Sequence, residues 1–132
     1  MTHKNLIVWQ KSIDLVEKIY KFTNDYPKDE LYGLTSQMRR ASVSIPSNIA
    51  EGHGRCSQKE LVRFLFISLG SASELETQII ISKRIQFIND EVFDELNQLV
   101  VEIIKMLSSL IKSKNAGSLV NPDAENPNID DK

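Results

Sequence analysis

Residues 33–54, GLTSQMRRASVSIPSNIAEGHG, carry two apolar patterns at once. Leu34, Met38, Ala41, Ile45, Ile49 and Gly52 recur at three- and four-residue steps, the spacing of one buried helical face. Val43, Pro46 and Ala50 make a second stripe on another side of the same helix. Small polar residues flank both: Ser42, Ser44 and Ser47 let another backbone come close. A helix with two packing faces needs neighbours on both sides, one set from its own bundle and the other from another subunit. Pro46 lacks the N–H that would bond the Ser42 carbonyl, so a kink or break is expected there, with Ser42 and Ser44 near enough to help satisfy freed carbonyls. Asn48 and Glu51 lie beside the buried stripes, and at least one is expected to be hydrogen-bonded inside an interface.

Outward from this stretch the chain reads as helices. The first spans residues 6–24, with Leu6, Trp9, Ile13, Val16 and Tyr20 as its apolar stripe, Ile19 widening it, and Lys11, Asp14, Lys18 and Lys21 on a solvated face. Gly52 and Gly54 stop the second helix. Ser57-Gln58-Lys59-Glu60 is a capping-box pattern that opens a third, with Cys56 and Leu61 as its staple. That helix reaches Arg84 and is apolar over much of its circumference, so it is expected to be the central one. Gly70-Ser71-Ala72-Ser73 interrupts it with small residues. A mid-helix glycine costs about 1 kcal/mol relative to alanine, a cost that close approach of the second helix is expected to offset. Asn89 caps a fourth helix, Val92, Leu96, Leu99, Ile103, Met106 and Leu110 form its stripe, and Asn115 to Gly117 end it. Residues 1–115 are thus expected to form an all-α, antiparallel up-and-down four-helix bundle, followed by a disordered acidic tail at 116–132.

Several function classes fall away on composition. A hydrophobic content of 41% with 26% charged residues is that of a soluble globular domain. One cysteine, Cys56, permits no intrachain disulfide, and the apolar run at residues 6–9 is too short for a secretory signal; a cytoplasmic location is expected. LVRFLFISL, residues 61–69, is too short to span a bilayer. His3 and His53 are the only histidines and neither lies three residues after a glutamate, which argues against a di-iron bundle. Gly52-His53-Gly54 follows a helix and no Gly-Lys-Ser/Thr comes after it, so it is a helix stop and not a phosphate loop. No catalytic residue, metal, cofactor, small-molecule substrate or membrane partner is expected.

The remaining polar candidates concern contacts. Glu74 and Glu76, two residues apart, point to different faces; one is expected to pair with Arg39 or Arg40 across a helix contact, the plainer alternative being that both are solvated. Arg55, Lys59 and Arg63, spaced by four, form a candidate nucleic-acid contact, against the alternative of an ordinary charged edge. Net charge is −2, and residues 116–132 sum to −3, which leaves the body at +1. A near-neutral body argues against strong attraction of nucleic acid over the whole surface and leaves a local patch open.

VWQKSIDLVEKIY (8–20), YGLTSQMRRASVSIPSNIAEG (32–52) and SQKELVRFLFISLGSASELETQI (57–79) together resemble the 23S rRNA-intervening sequence protein family, also called the four helix bundle protein family. The resemblance covers roughly residues 6–112. It implies a bundle that assembles as a homopentamer around a central channel, with no established catalysis, encoded in some bacteria inside intervening sequences of ribosomal RNA genes. A related branch, the accessory protein of diversity-generating retroelements, is a basic pentamer that binds nucleic acid and a reverse transcriptase; the body charge of +1 departs from that branch. The functional expectation is a noncatalytic oligomeric scaffold contacting RNA or a ribonucleoprotein. The alternatives are a protein-only adaptor and, third, an enzyme whose site forms between subunits.

Overall fold

Four helices account for most of residues 2–118, the part of the chain that the computed structural model describes. They are α1 (Ile7–Thr23), α2 (Leu34–His53), α3 (Gln58–Arg84) and α4 (Asp90–Ser118), with short 3-10 turns at His3–Asn5 and Lys28–Glu30. No strand occurs among the described residues. Each helix packs on its sequence neighbours and α4 closes the bundle on α1. Short connections between helices that pack side by side make successive helices antiparallel. α4 runs to Ser118, one residue past the stop expected at Asn115 to Gly117. The rest of the expected tail lies outside the described residues.

The core is a single cluster that draws on all four helices. Met38, Ala41, Ile45 and Ile49 of α2 lie in it, on the face that the three- and four-residue spacing marks. In α1 the phase differs from the expected one. Val8, Leu15 and Ile19 are buried, while Trp9, Ile13 and Val16 are half-buried and Tyr20 is exposed. The buried stripe of α1 includes Ser12 and Thr23, whose hydroxyls donate to the Trp9 and Ile19 carbonyls at 2.7 and 2.6 Å. Two polar residues can therefore line the core without an orphaned donor. In α4 the buried residues are Leu96, Val100, Ile103, Leu107 and Ile111, a few tens of degrees round from the expected stripe.

α2 is helical without interruption through Pro46, so the expected break is absent. Ser42 donates to the Arg39 carbonyl at 2.8 Å and Ser44 pairs with Ser71, so neither hydroxyl serves the carbonyl that Pro46 leaves unbonded. The close approach of α2 and α3 is real but sits elsewhere than at Gly70. A Cβ on Gly52 would lie 3.0 Å from Phe64 Cβ, 3.1 Å from Leu61 Cδ1 and 3.3 Å from the Leu61 carbonyl oxygen. Ser68 donates to the Ile45 carbonyl at 2.8 Å, and Ser44 and Ser71 meet hydroxyl to hydroxyl at 2.8 Å. A Cβ on Gly70 would meet nothing within 4 Å. Nor is α3 enclosed on all sides: Phe66, Ile67, Ile80 and Ile81 remain exposed.

The ends are set by local chemistry. Ser57 accepts from the Glu60 N–H at 3.1 Å, but the Glu60 carboxylate turns to Arg63 and does not complete the capping box; Cys56 is exposed. Asn89 Oδ1 accepts from the Val92 N–H at 2.8 Å. α3 ends in a Schellman turn, Phe87 N–H to Ser82 carbonyl at 2.8 Å and Gln86 N–H to Lys83 carbonyl at 3.0 Å, with Gln86 at φ 67° where glycine is usual.

Candidate interaction surfaces

The four-residue turn between α2 and α3 positions the first candidate group. Arg55 pairs with Glu51, one helical turn earlier, at 2.6 Å. Arg63 makes two hydrogen bonds to Glu60, at 3.2 and 3.1 Å. Both guanidinium groups lie over the Phe64 ring, at 5.0 and 4.5 Å from its centre. The two arginines thus cover an apolar side chain and are each matched by a carboxylate. The Arg63 hydrogen bonds hold the Glu60 carboxyl below its ordinary range, and Arg63 itself is raised by the same contact. Lys59 is exposed and forms no ion pair among the described residues. His53, expected beside them, bonds the Ile49 carbonyl at 3.0 Å within its own helix.

The other polar candidates do not converge. Arg39 donates to Thr23 Oγ1 at 3.0 Å and stacks on Tyr20 at 4.6 Å, tying α2 to α1. Arg40, with 71% of its side chain exposed, approaches Glu74 of α3 at a loose 3.8 Å, and Gln78 donates to the same carboxylate at 3.3 Å. Glu76 is half-buried and makes no ion pair among the described residues. Asn48 donates to the Ser44 carbonyl and hydroxyl at 2.8 and 2.9 Å, so it orients the hydroxyl that meets Ser71. Glu51 is exposed and belongs to Arg55. No three of His, Cys, Asp and Glu come together as a metal site among the described residues.

What the fold leaves uncovered is apolar. Trp9, Ile13 and Val16 of α1 face Val43, Pro46 and Ala50 of α2 across an open groove, with His3 edge-on to Trp9 at 5.2 Å. Three residues of the stripe expected to be the core of the first helix, Trp9, Ile13 and Val16, line this groove instead. On α3, Phe66 is 52% and Ile81 42% exposed, and Ile67 and Ile80 are exposed as well. Arg40 and Glu51 of α2 are exposed, and Ser47 sits on the polar edge of the groove. α3 is also the one described helix long and apolar enough to cross a membrane by length and composition. Leu65, Ala72, Leu75 and Ile79 of that helix are spent on the bundle core.

A solved structure of a protein of unknown function from the S23 ribosomal protein family of Bacteroides thetaiotaomicron is similar to this chain, with a TM-score of 0.73 and 29% identity; the likeness covers 80% of this chain and 99% of that one. No curated protein matches the chain. The model of the 23S rRNA-intervening sequence protein family matches residues 4–109, which hold all of α1, α2 and α3 and most of α4. The chain therefore belongs to the 23S rRNA-intervening sequence protein family.

Proposed function

We propose that the chain is a noncatalytic scaffold that assembles from several copies of itself and presents the assembly to RNA or a ribonucleoprotein. The observation that carries the assembly is the pair of distinct apolar faces, the Trp9–Val43 groove and the Phe66–Ile81 side of α3, which one bundle does not cover. An isologous dimer formed through one face would leave the other in water. A heterologous contact, one face on the other, covers both and gives a ring where the rotation between copies closes. Five copies is the number that the family resemblance implies. The RNA partner rests on the family's name and on the similar structure's membership of the S23 ribosomal protein family. The second reading, a protein-only adaptor, is favoured by one observation: Arg55 and Arg63 already hold carboxylates.

Light scattering after size exclusion tests the assembly. The parent should elute at a mass well above 15.0 kDa. Val43→Glu and Phe66→Glu, each placing a charge on one face, should yield folded monomers. A parent that is monomeric at micromolar concentration would sink the scaffold reading.

A further inference from the structure

The bundle is strongly polarised along its axis, although its total charge is near zero. Gln58 of α3 donates to the Lys114 carbonyl of α4 at 3.4 Å, the residues before α1 line a groove with Lys105 and Leu110 of α4, and His3 reaches Ser47 and Ala50 of α2. Residues 2–10, 47–64 and 105–118 therefore share one end. That end holds Lys4, Lys59, Lys105, Lys112, Lys114 and the two arginines of the α2–α3 turn, against Glu51 and Glu60 alone, a balance of +5. The opposite half, residues 20–40 and 74–95, holds six cations and nine carboxylates, a balance of −3. Of the end's cations only Arg55 and Arg63 form ion pairs among the described residues. Lys4, Lys59, Lys105 and Lys112 are all exposed.

We propose that this end of the bundle, centred on Lys59, Lys105 and Lys112, is the surface that contacts the phosphate backbone of RNA. The proposal rests on the RNA reading above and moves the contact from the paired arginines to the lysines around them. Exposed lysines without a partner release condensed counterions when they meet phosphate, and that release drives binding. A carboxylate-paired arginine must first give up its partner. The acidic half repels the same backbone, so the field orients the bundle end-on to RNA. In a ring whose subunits lie side by side with their axes roughly parallel, the cationic ends would fall on one rim, where several weak contacts act together.

Two variants of equal charge change separate this surface from a general charge effect. Lys59→Gln/Lys105→Gln/Lys112→Gln removes three cations from the proposed end, and Lys21→Gln/Lys28→Gln/Arg84→Gln removes three from the opposite half. Binding of a short fluorescein-labelled RNA hairpin is followed by anisotropy between 50 and 200 mM salt, with oligomer mass matched. The first variant should bind about tenfold or more weakly and flatten the slope of log affinity against log salt by about 2. The second should stay within about twofold of the parent, because its cations lie among a carboxylate excess. Lysine acetylation gives a readout without mutation: RNA should protect Lys59, Lys105 and Lys112 and leave Lys21 and Lys28 reactive. Equal weakening by both variants, or equal protection of all five lysines, overturns the proposed surface while RNA remains a partner. A parent oligomer that binds the hairpin at no salt concentration overturns the RNA reading and this surface together.

Discussion

Gly52 and Gly70 stand in helices of the same bundle, and alanine at each is expected to change stability in opposite directions. At Gly52 the new methyl would sit 3.0 Å from Phe64 Cβ and 3.3 Å from the Leu61 carbonyl oxygen. Carbon atoms prefer about 3.5–4.0 Å. The third neighbour, Leu61 Cδ1 at 3.1 Å, can rotate away; the other two are fixed to the α3 backbone and can yield only if the helices part. Overpacking of this kind costs about 1–3 kcal/mol, and the alanine returns about 1 kcal/mol of helix propensity. The net expectation is a loss of about 1 kcal/mol. At Gly70 nothing of the same bundle lies within 4 Å, so in a monomeric background such as Phe66→Glu, where no second subunit covers this side of α3, the propensity gain of about 1 kcal/mol stands alone. The two variants should therefore differ by about 2 kcal/mol, or about 8 °C in Tm for a domain of this size. Urea and thermal unfolding of parent and both variants, at a concentration where light scattering gives all three the same mass, measures this directly. A Gly52→Ala protein as stable as Gly70→Ala would refute the close approach of α2 and α3 at Leu61 and Phe64.

The remaining expectations use the same assays. Ser44→Leu should lose about 1–3 kcal/mol, because its hydroxyl meets Ser71 at 2.8 Å between the helices; Ser73→Leu, on the exposed side of α3, should change folding by less than about 0.5 kcal/mol. Gln86→Gly should gain about 1 kcal/mol in urea unfolding, since φ 67° strains any side chain, and an unchanged midpoint would mean that the turn relaxes. Tyr26 is buried, and its phenol oxygen has no hydrogen-bond partner among the described residues. Burial raises the Tyr26 pKa above its ordinary 10.0, so its contribution is fully present below that pH and is lost as pH rises through the folded value. Tyr26→Phe keeps the edge-on contact with Phe87 and should cancel that part of the alkaline decline; identical pH profiles for parent and variant would count against it.

The helices were legible because their signals are redundant. Each of α2, α3 and α4 has a long apolar repeat, a cap or stop of recognisable chemistry and a turn of few residues, and any two of these would locate it. Phase was harder. α1 has two apolar stripes side by side, and the one with Trp9 and Tyr20 looks the stronger because aromatic side chains carry more surface. The core takes the other, whose gaps are Ser12 and Thr23, because those hydroxyls can close onto carbonyls in their own helix. Periodicity marks a helix with two apolar faces but does not say which face the chain covers by itself. The same ambiguity centred the close approach on Gly70, whereas in the 70–73 run it is Ser71 that meets Ser44 and the crowded glycine is Gly52. A glycine in mid-helix looks like a contact point, whereas Gly52, two residues from Gly54, looks like part of a stop signal. Only the position of Leu61 and Phe64 opposite it shows which of the two is crowded.

The charged surface was legible in content and not in arrangement. Arg55, Lys59 and Arg63 stand together in the sequence and are near one another in the fold, yet the spacing alone does not show that Glu51 holds Arg55 and Glu60 holds Arg63. Nor does it show that Lys4, Lys105 and Lys112, from the two ends of the described chain, share their end of the bundle. A summed body charge of +1 adds an end of +5, a half of −3 and a middle of −1, and for a rod of helices that sum describes none of them. A polyanion several Debye lengths long meets the ends separately, since charges more than about 8 Å apart are screened from one another at physiological salt. The near-neutral sum, which argues against attraction over the whole surface, therefore carries no weight against a contact at one end once the helices are laid antiparallel.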